Sequence, residues 1–248
     1  MRSDIFFCGD THGNFDHVIK AVQVHKPVGL IFLGDLQAQQ PLHNELRMIL
    51  DKTDIWWVPG NHDTDSDADY DNLFGSSLAL RNLHGQVVEV AGVRIAGLGG
   101  VFRGRVWSPP GDPVFASPDD LVQSAGRGNL WRNGLTRQHR STIFPVDYAS
   151  LMGQRADVLV SHEAPSVHQH GWDAVDALAS SLRVRKSFHG HHHDRQDYSR
   201  HWDALGFEAH GVGFCGITAL DGTVIRAGDF DDCRMMLSDV DPGFGGAV

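Results

Sequence analysis

The chain has 248 residues, 41% of them apolar, and carries a formal net charge of -10 at pH 7. That length and apolar content suffice for one full-sized hydrophobic core, and the acidic balance disfavours long-range attraction to nucleic acid or to an anionic membrane. Its three cysteines, Cys8, Cys215 and Cys233, are odd in number and far apart, which argues against a disulfide framework and against a Cys-based zinc site.

Residues 4–8 read as a buried strand, broken at once by Gly9 and Asp10 and therefore too short for a signal-peptide core or a membrane span. The expectation is a soluble, cytoplasmic protein. Phe15, Val18, Ile19 and Val22 follow at the spacing of one helix face, a strand is expected over 28–33, a helix over 42–50 and a third strand over 55–58. Strands alternating with helices imply a largely parallel, buried sheet whose ligands sit at the carboxyl ends of the strands, where Asp10, Asp35 and Asn61 fall. Apolar runs over 87–90 and 93–98 flank Ala91 and Gly92 and predict a tight hairpin, so antiparallel strands now enter.

The stretch from 101 to about 145 has Pro109, Pro110, Pro113 and Pro118 and little periodicity, and reads as a loop-rich insertion with a short helix beginning near Pro118. Within 101–150 six arginines face four aspartates, a local basic balance in an acidic chain. Such a segment is either an anion site or a solvated loop with scattered charge. Regular structure resumes with helices over 146–152 and 172–182, strands over 157–160 and 184–188, and two further β segments near 211–217 and 223–227. The reading is one domain over 1–230, with 231–248 as a mobile tail.

Five short motifs carry the chemistry: Gly9-Asp10-Thr11-His12-Gly13, Gly34-Asp35, Gly60-Asn61-His62-Asp63, Ser161-His162 and Gly190-His191-His192-His193. Asp10 and His12 flank one residue just past a strand, so both side chains can turn to one side of the loop. Asp35 follows the adjacent strand, where its two oxygens can bridge two ions, while Asn61 adds a neutral oxygen and His162, His191 and His193 add imidazole nitrogens. Mixed oxygen and nitrogen donors suit manganese, iron or zinc better than calcium. Singly, each residue has a bland reading: an Asx turn for Asp10 or Asp35, a helix cap for residues 61–63, a hydrogen-bonded core histidine for His162. Chance placement of the whole set, in order, at strand ends is a poor alternative.

In these motifs the chain resembles the calcineurin-like metallophosphoesterases over roughly residues 4–230. The resemblance implies a four-layer αββα sandwich of two mixed sheets flanked by helices. It implies Asp10, His12, Asp35 and His193 as ligands of a first ion, and Asp35, Asn61, His162 and His191 as ligands of a second. The ions would be manganese foremost, with iron, zinc or nickel as alternatives, about 3.5–4 Å apart and bridged by a hydroxide that attacks phosphorus. His62 is similar to the family's histidine that contacts phosphate and protonates the leaving oxygen.

Departures from the subfamilies bear on substrate. Gln37 stands where protein serine/threonine phosphatases continue Asp-Arg-Gly, so their phosphate-binding arginine is missing. Segments 34–38, 92–102 and 161–165 resemble RNA lariat debranching enzymes, although those carry cysteine at the position of Asp10 and have a further carboxyl-terminal region. Arg103 and Arg105 could reach a substrate phosphate, and Trp107, Phe115 and Trp131 could either stack on a base or pin the long loop to the body. The expected activity is hydrolysis of a phosphodiester or small organic phosphate, with a nucleotide, small phosphate ester or RNA as substrate and no membrane or stable protein partner. Protein or nucleotide phosphatase and a non-catalytic metal-binding scaffold are the alternatives.

Overall fold

Strand β1 (Ile5–Cys8) is buried on both faces, which is why it reads as an unbroken apolar run rather than an alternating one. The computed structural model describes residues 4–231. Helix α1 (Asp16–His25) follows, burying Val18, Ala21 and Val22 and ending at Lys26 in the left-handed region. Strand β2 (Gly29–Phe32), helix α2 (Leu42–Glu45), strand β3 (Asp54–Trp57) and helix α3 (Asp67–Phe74) complete the first half.

Hairpin β4 (Gln86–Val90) and β5 (Val93–Leu98) turns through Ala91 and Gly92, both at positive φ as a two-residue turn of matching twist requires. Beyond it lie α4 (Pro118–Ser124), α5 (Pro145–Leu151), β6 (Val158–Ser161), α6 (Asp173–Leu182), β7 (Lys186–His189), α7 (Trp202–Leu205), β8 (Glu208–Gly211), β9 (Ile217–Ala219) and β10 (Val224–Arg226).

The strands form two five-stranded mixed sheets, ordered β10-β9-β1-β2-β3 and β4-β5-β6-β7-β8. In the first, β1, β2 and β3 are parallel and β9 and β10 run antiparallel; in the second, β5 to β8 are parallel and β4 antiparallel. Alternate residues of each strand serve different layers. Ile5, Phe7, Ile31 and Leu33 meet Ile95, Val158, Val160 and Phe188 between the sheets, with the rings of Phe7 and Phe188 stacked at 3.8 Å. Phe6, Cys8, Leu30 and Phe32 face outward against α1 and Leu42, Leu46 and Leu73, while Ala96, Leu98 and Leu159 pack under α5 and α6. Each fully buried Leu or Phe in these layers contributes about 1.5–3 kcal/mol. The result is the αββα sandwich.

Two expected elements differ. Residues 42–50 keep their helical burial pattern, with Leu42, Leu46 and Ile49 all buried, but only α2 is α-helical and the rest closes through i to i+3 bonds such as Ile49 N–H to the Leu46 carbonyl. The segment 211–217 is not one β element: β8 ends at Gly211 in the second sheet, residues 212–216 turn, and β9 begins at Ile217 in the first.

Between β5 and α5 the chain builds its own small core from Val106, Leu121, Leu135 and Phe144. Arg132 and Arg137 tie it to Asp67 and Asp71 of α3. Among the described residues no helix is long and apolar enough to cross a membrane. The tail from 232 onward, with Cys233, lies outside the described residues.

Candidate metal centre

The carboxyl ends of β1, β2, β3, β6 and β7 deliver the five motifs to one place, and the structure brings all seven candidate ligands together there. Four of them, His12, Asp35, His191 and His193, hold positive φ, an uncommon conformation for residues with a Cβ and one that concentrates at functional sites. Two glycines let the loops approach this closely. A Cβ on Gly34, itself at φ +108°, would lie 2.3 Å from His162 Nδ1, and one on Gly60 would lie 2.1 Å from Asp35 Oδ1.

Asp10 and Asp35 are buried, at 0% and 1% exposure. Each has one oxygen anchored by the backbone: the His191 N–H donates to Asp10 Oδ1 at 3.2 Å and the His62 N–H to Asp35 Oδ1 at 2.8 Å. The other oxygen of each, Oδ2, is buried with no hydrogen-bond partner among the described residues. Asp10 Oδ2 faces His193 Nε2 at 3.4 Å, and Asp35 Oδ2 faces His12 Nε2 at 3.9 Å and His162 Nε2 at 3.4 Å. His12, Asp35 and His193 form one group of donor atoms within 4.8 Å of one another, and Asp35, His162 and His191 form a second, so Asp35 belongs to both. Asn61 Oδ1 completes the second at 3.1 Å from His162 Nε2.

The ring orientations are set from behind. His12 Nδ1 donates to Gln37 Oε1 at 2.5 Å, and His162 Nδ1 donates to the Leu33 carbonyl at 2.8 Å, turning both Nε2 atoms inward. Phe214 packs against the rings of His12 and His193. Asp63, fully buried, accepts from the N–H groups of Gln37 and Gly60 and so ties the second motif's loop to the third. Gln37, Asp63 and Phe214 are not among the residues expected to build the site: Asp63 lies in the third motif and Gln37 just beyond the second, while nothing local marks Phe214.

The charge balance tests whether cations fit. Burial, together with the nearby Asp35 charge, pushes Asp10 and Asp63 up to about 7. Asp35 is buried too, yet the His162 imidazolium and the His62 N–H hold it below the ordinary carboxylate range. Burial alone would lower His162, but Asp35 and Asp10 raise it to about 10. Protons thus do the neutralising where three carboxyl groups share a dry site. Partnerless carboxylate oxygens aimed at imidazole nitrogens suit divalent cations, which would take over that role.

His62 stands at the rim, its ring 5.6 Å from that of His12 and its Nδ1 on Asp65 Oδ2 at 2.5 Å. Burial would lower its pKa, but the Asp65 hydrogen bond and the charges of Asp35 and Asp65 together hold His62 above the ordinary histidine value. Arg103 comes to the centre: it lines a cavity of about 270 Å³ with Asn61, Thr64, Asp65, Arg137 and Gln138, its Nε donating to Thr142 Oγ1 at 3.1 Å. Arg105 does not; it is exposed and lines a different cavity, inside the insertion. Trp107 packs on Phe102 and Tyr148, Phe115 on the insertion's core, and Trp131 against Tyr70 with the Arg132 guanidinium over its ring, so these aromatics pin the loop.

A profile of the calcineurin-like phosphoesterases matches residues 3–195. An uncharacterized protein from Haemophilus influenzae is 40% identical over 221 residues, covering 89% of this chain and 96% of the relative. The solved structure of TT1561 from Thermus thermophilus superposes at a TM-score of 0.57 with 13% identity, over 90% of this chain and 98% of that one, a likeness of fold. A site of this donor chemistry at the strand ends of an αββα sandwich agrees with that match: the chain belongs to the calcineurin-like phosphoesterase family.

Proposed function

We propose that the protein is a dinuclear metal-dependent phosphoesterase acting on a phosphodiester or a small organic phosphate. The observation that carries this reading is the pair of buried carboxylates, Asp10 and Asp35, each with one oxygen fixed by the backbone and the other partnerless and turned to imidazole nitrogens. Asp10, His12, Asp35 and His193 would hold one ion, and Asp35, Asn61, His162 and His191 the other, with Asp35 common to both. Two divalent ions supply positive charge to the phosphoryl oxygens and make water acidic enough to act as a nucleophile near neutral pH.

The chain's own groups do the rest. Asn61 and Arg103 bind and orient the phosphoryl group, and the fixed positive charge of Arg103 offsets negative charge that builds up as the bond to the leaving group stretches. His62, protonated through its contact with Asp65, gives its Nε2 proton to the departing oxygen. The run after Asp35, Leu36 to Gln40, supports a diester or small ester over a phosphoprotein, because it carries no arginine for a protein-borne phosphate, and its Gln37 amide is spent on orienting His12.

The test is a screen of the manganese-loaded protein on aryl phosphomonoesters, aryl phosphodiesters, nucleotides, short RNAs and a phosphopeptide. The reading expects turnover highest on a diester or small ester. Faster hydrolysis of the phosphopeptide would favour a protein phosphatase, and no turnover with manganese, iron, zinc or nickel would favour a scaffold.

A further inference from the structure

The insertion between β5 and α5 encloses a cavity of about 350 Å³, within the usual size of ligand pockets. Its lining combines apolar side chains, Leu121, Trp131 and Leu135 among them, with the polar Arg105, Gln138 and His139. Gln138 also lines the cavity that holds Asn61 and Arg103, so the two spaces adjoin at that residue. Thr142 links them as well, its Oγ1 lying 3.1 Å from both Arg103 Nε and His139 Nδ1.

The arginines of this segment differ in how they are used. Arg132 is paired with Asp67 and Asp71, Arg137 with Asp67, and Arg140 donates to the Leu135 carbonyl. Arg105 makes no ion pair or hydrogen bond among the described residues, and no acidic side chain lines its cavity. Burial and then the charges of Arg103 and Arg105 keep His139 below its ordinary pKa, so the two guanidiniums act on one neutral ring from their separate cavities. A cation left unmatched beside an apolar wall is complementary to an amphiphilic anion.

We propose that this cavity is a second binding site, adjoining the catalytic centre at Gln138, that takes the organic part of the phosphate ester: a ring of aryl or nucleobase size carrying a second anionic group. The ring packs against Leu121, Trp131 and Leu135, and the second anion meets Arg105. The assignment rests on the phosphoesterase reading and names the substrate class of that site.

The experiment is calorimetric titration of the metal-free protein, which cannot turn the probes over, with phenyl phosphate, 2-naphthyl phosphate and 6-carboxy-2-naphthyl phosphate. Affinity is expected to rise along that series, the carboxylate adding about tenfold. Arg105→Gln should erase the carboxylate increment, and Ala125→Phe, which adds bulk to the cavity lining, should erase the naphthyl increment. Equal affinities for the three probes, no heat with any of them, or increments that survive both substitutions would overturn the proposal. Hydrolysis of the same compounds by the manganese-loaded protein is scored separately. Graded binding without hydrolysis sinks the phosphoesterase reading and spares the cavity, and hydrolysis without graded binding does the reverse.

Discussion

Gln37→Met removes an acceptor at nearly constant side-chain volume and tests how the first ion's histidine is aimed. In the structure Gln37 Oε1 accepts a hydrogen bond from His12 Nδ1–H at 2.5 Å, which leaves the Nε2 lone pair facing Asp35 Oδ2 at 3.9 Å. The His12 side chain is 19% exposed, so water can replace the lost acceptor and folding stability should fall by only about 1 kcal/mol. The loop itself keeps its anchor, because the Gln37 N–H to Asp63 bond at 2.9 Å is a backbone contact. What is lost is ring orientation and basicity, for which removal of such a partner costs about 10–100-fold in metal affinity, or about 1.4–2.7 kcal/mol. Competition for manganese against a fluorescent chelator measures this directly. Gln37→Glu, which retains an acceptor and adds charge, should hold the first ion at least as tightly as Gln37 does. Unaltered manganese affinity in Gln37→Met, or an equal loss in Gln37→Glu, would refute the reasoning.

His62→Ala should retain metal and lose at least about 100-fold in rate, most with poor leaving groups; loss of metal on substitution would remove His62 from its assigned role. Because Asp65 and the Asp35 charge hold His62 above its ordinary pKa and the acid acts when protonated, activity should fall as pH rises through that raised value, and Asp65→Asn, which removes the Asp65 share, should move this alkaline limb to lower pH; a limb that stays in place contradicts the dyad. Gly34→Ala would put a Cβ 2.3 Å from His162 Nδ1 at φ +108°, and should cost about 3 kcal/mol or more, seen as a Tm lower by about 6–12 °C; a Tm within about 2 °C of the parent would show that the loop relaxes freely. Metal loading at pH 6–7 should release protons, since Asp10, raised to about 7, and His162, raised to about 10, are protonated without metal and must be deprotonated to ligate. Affinity therefore rises with pH through this window, and calorimetry in buffers of different ionisation enthalpy checks the sign; proton uptake would contradict it.

The candidate ligands were legible because each falls where an apolar run ends: Asp10 after β1, Asp35 after β2, Asn61 after β3, His162 after β6 and His191 after β7. The parallel units and the Ala91-Gly92 hairpin were legible for the same reason, since periodicity and turn chemistry are local. Groups acting across long sequence separations were not. Gln37 orients a histidine 25 residues away, and Phe214 packs on His12 and His193 from a turn whose sequence suggested only continued strand. Helix α3 escaped notice because its acid-rich run DADYDNLF buries only Leu73 and relies on the Ser66 cap, which accepts from the Asp69 N–H. Proximity in sequence groups Arg105 with Arg103, whereas the tight turn after Arg103, with Val106 N–H bonded to the Arg103 carbonyl, sends the two side chains into different cavities.

If Asp35 joins two metal sites in one centre, elemental analysis of the protein loaded with manganese and freed of excess will find two ions per chain. Asp35→Asn, measured in parallel, should lose metal from both sites and all turnover. One ion or none in the parent, or two ions retained by Asp35→Asn, would contradict that bridging role of Asp35.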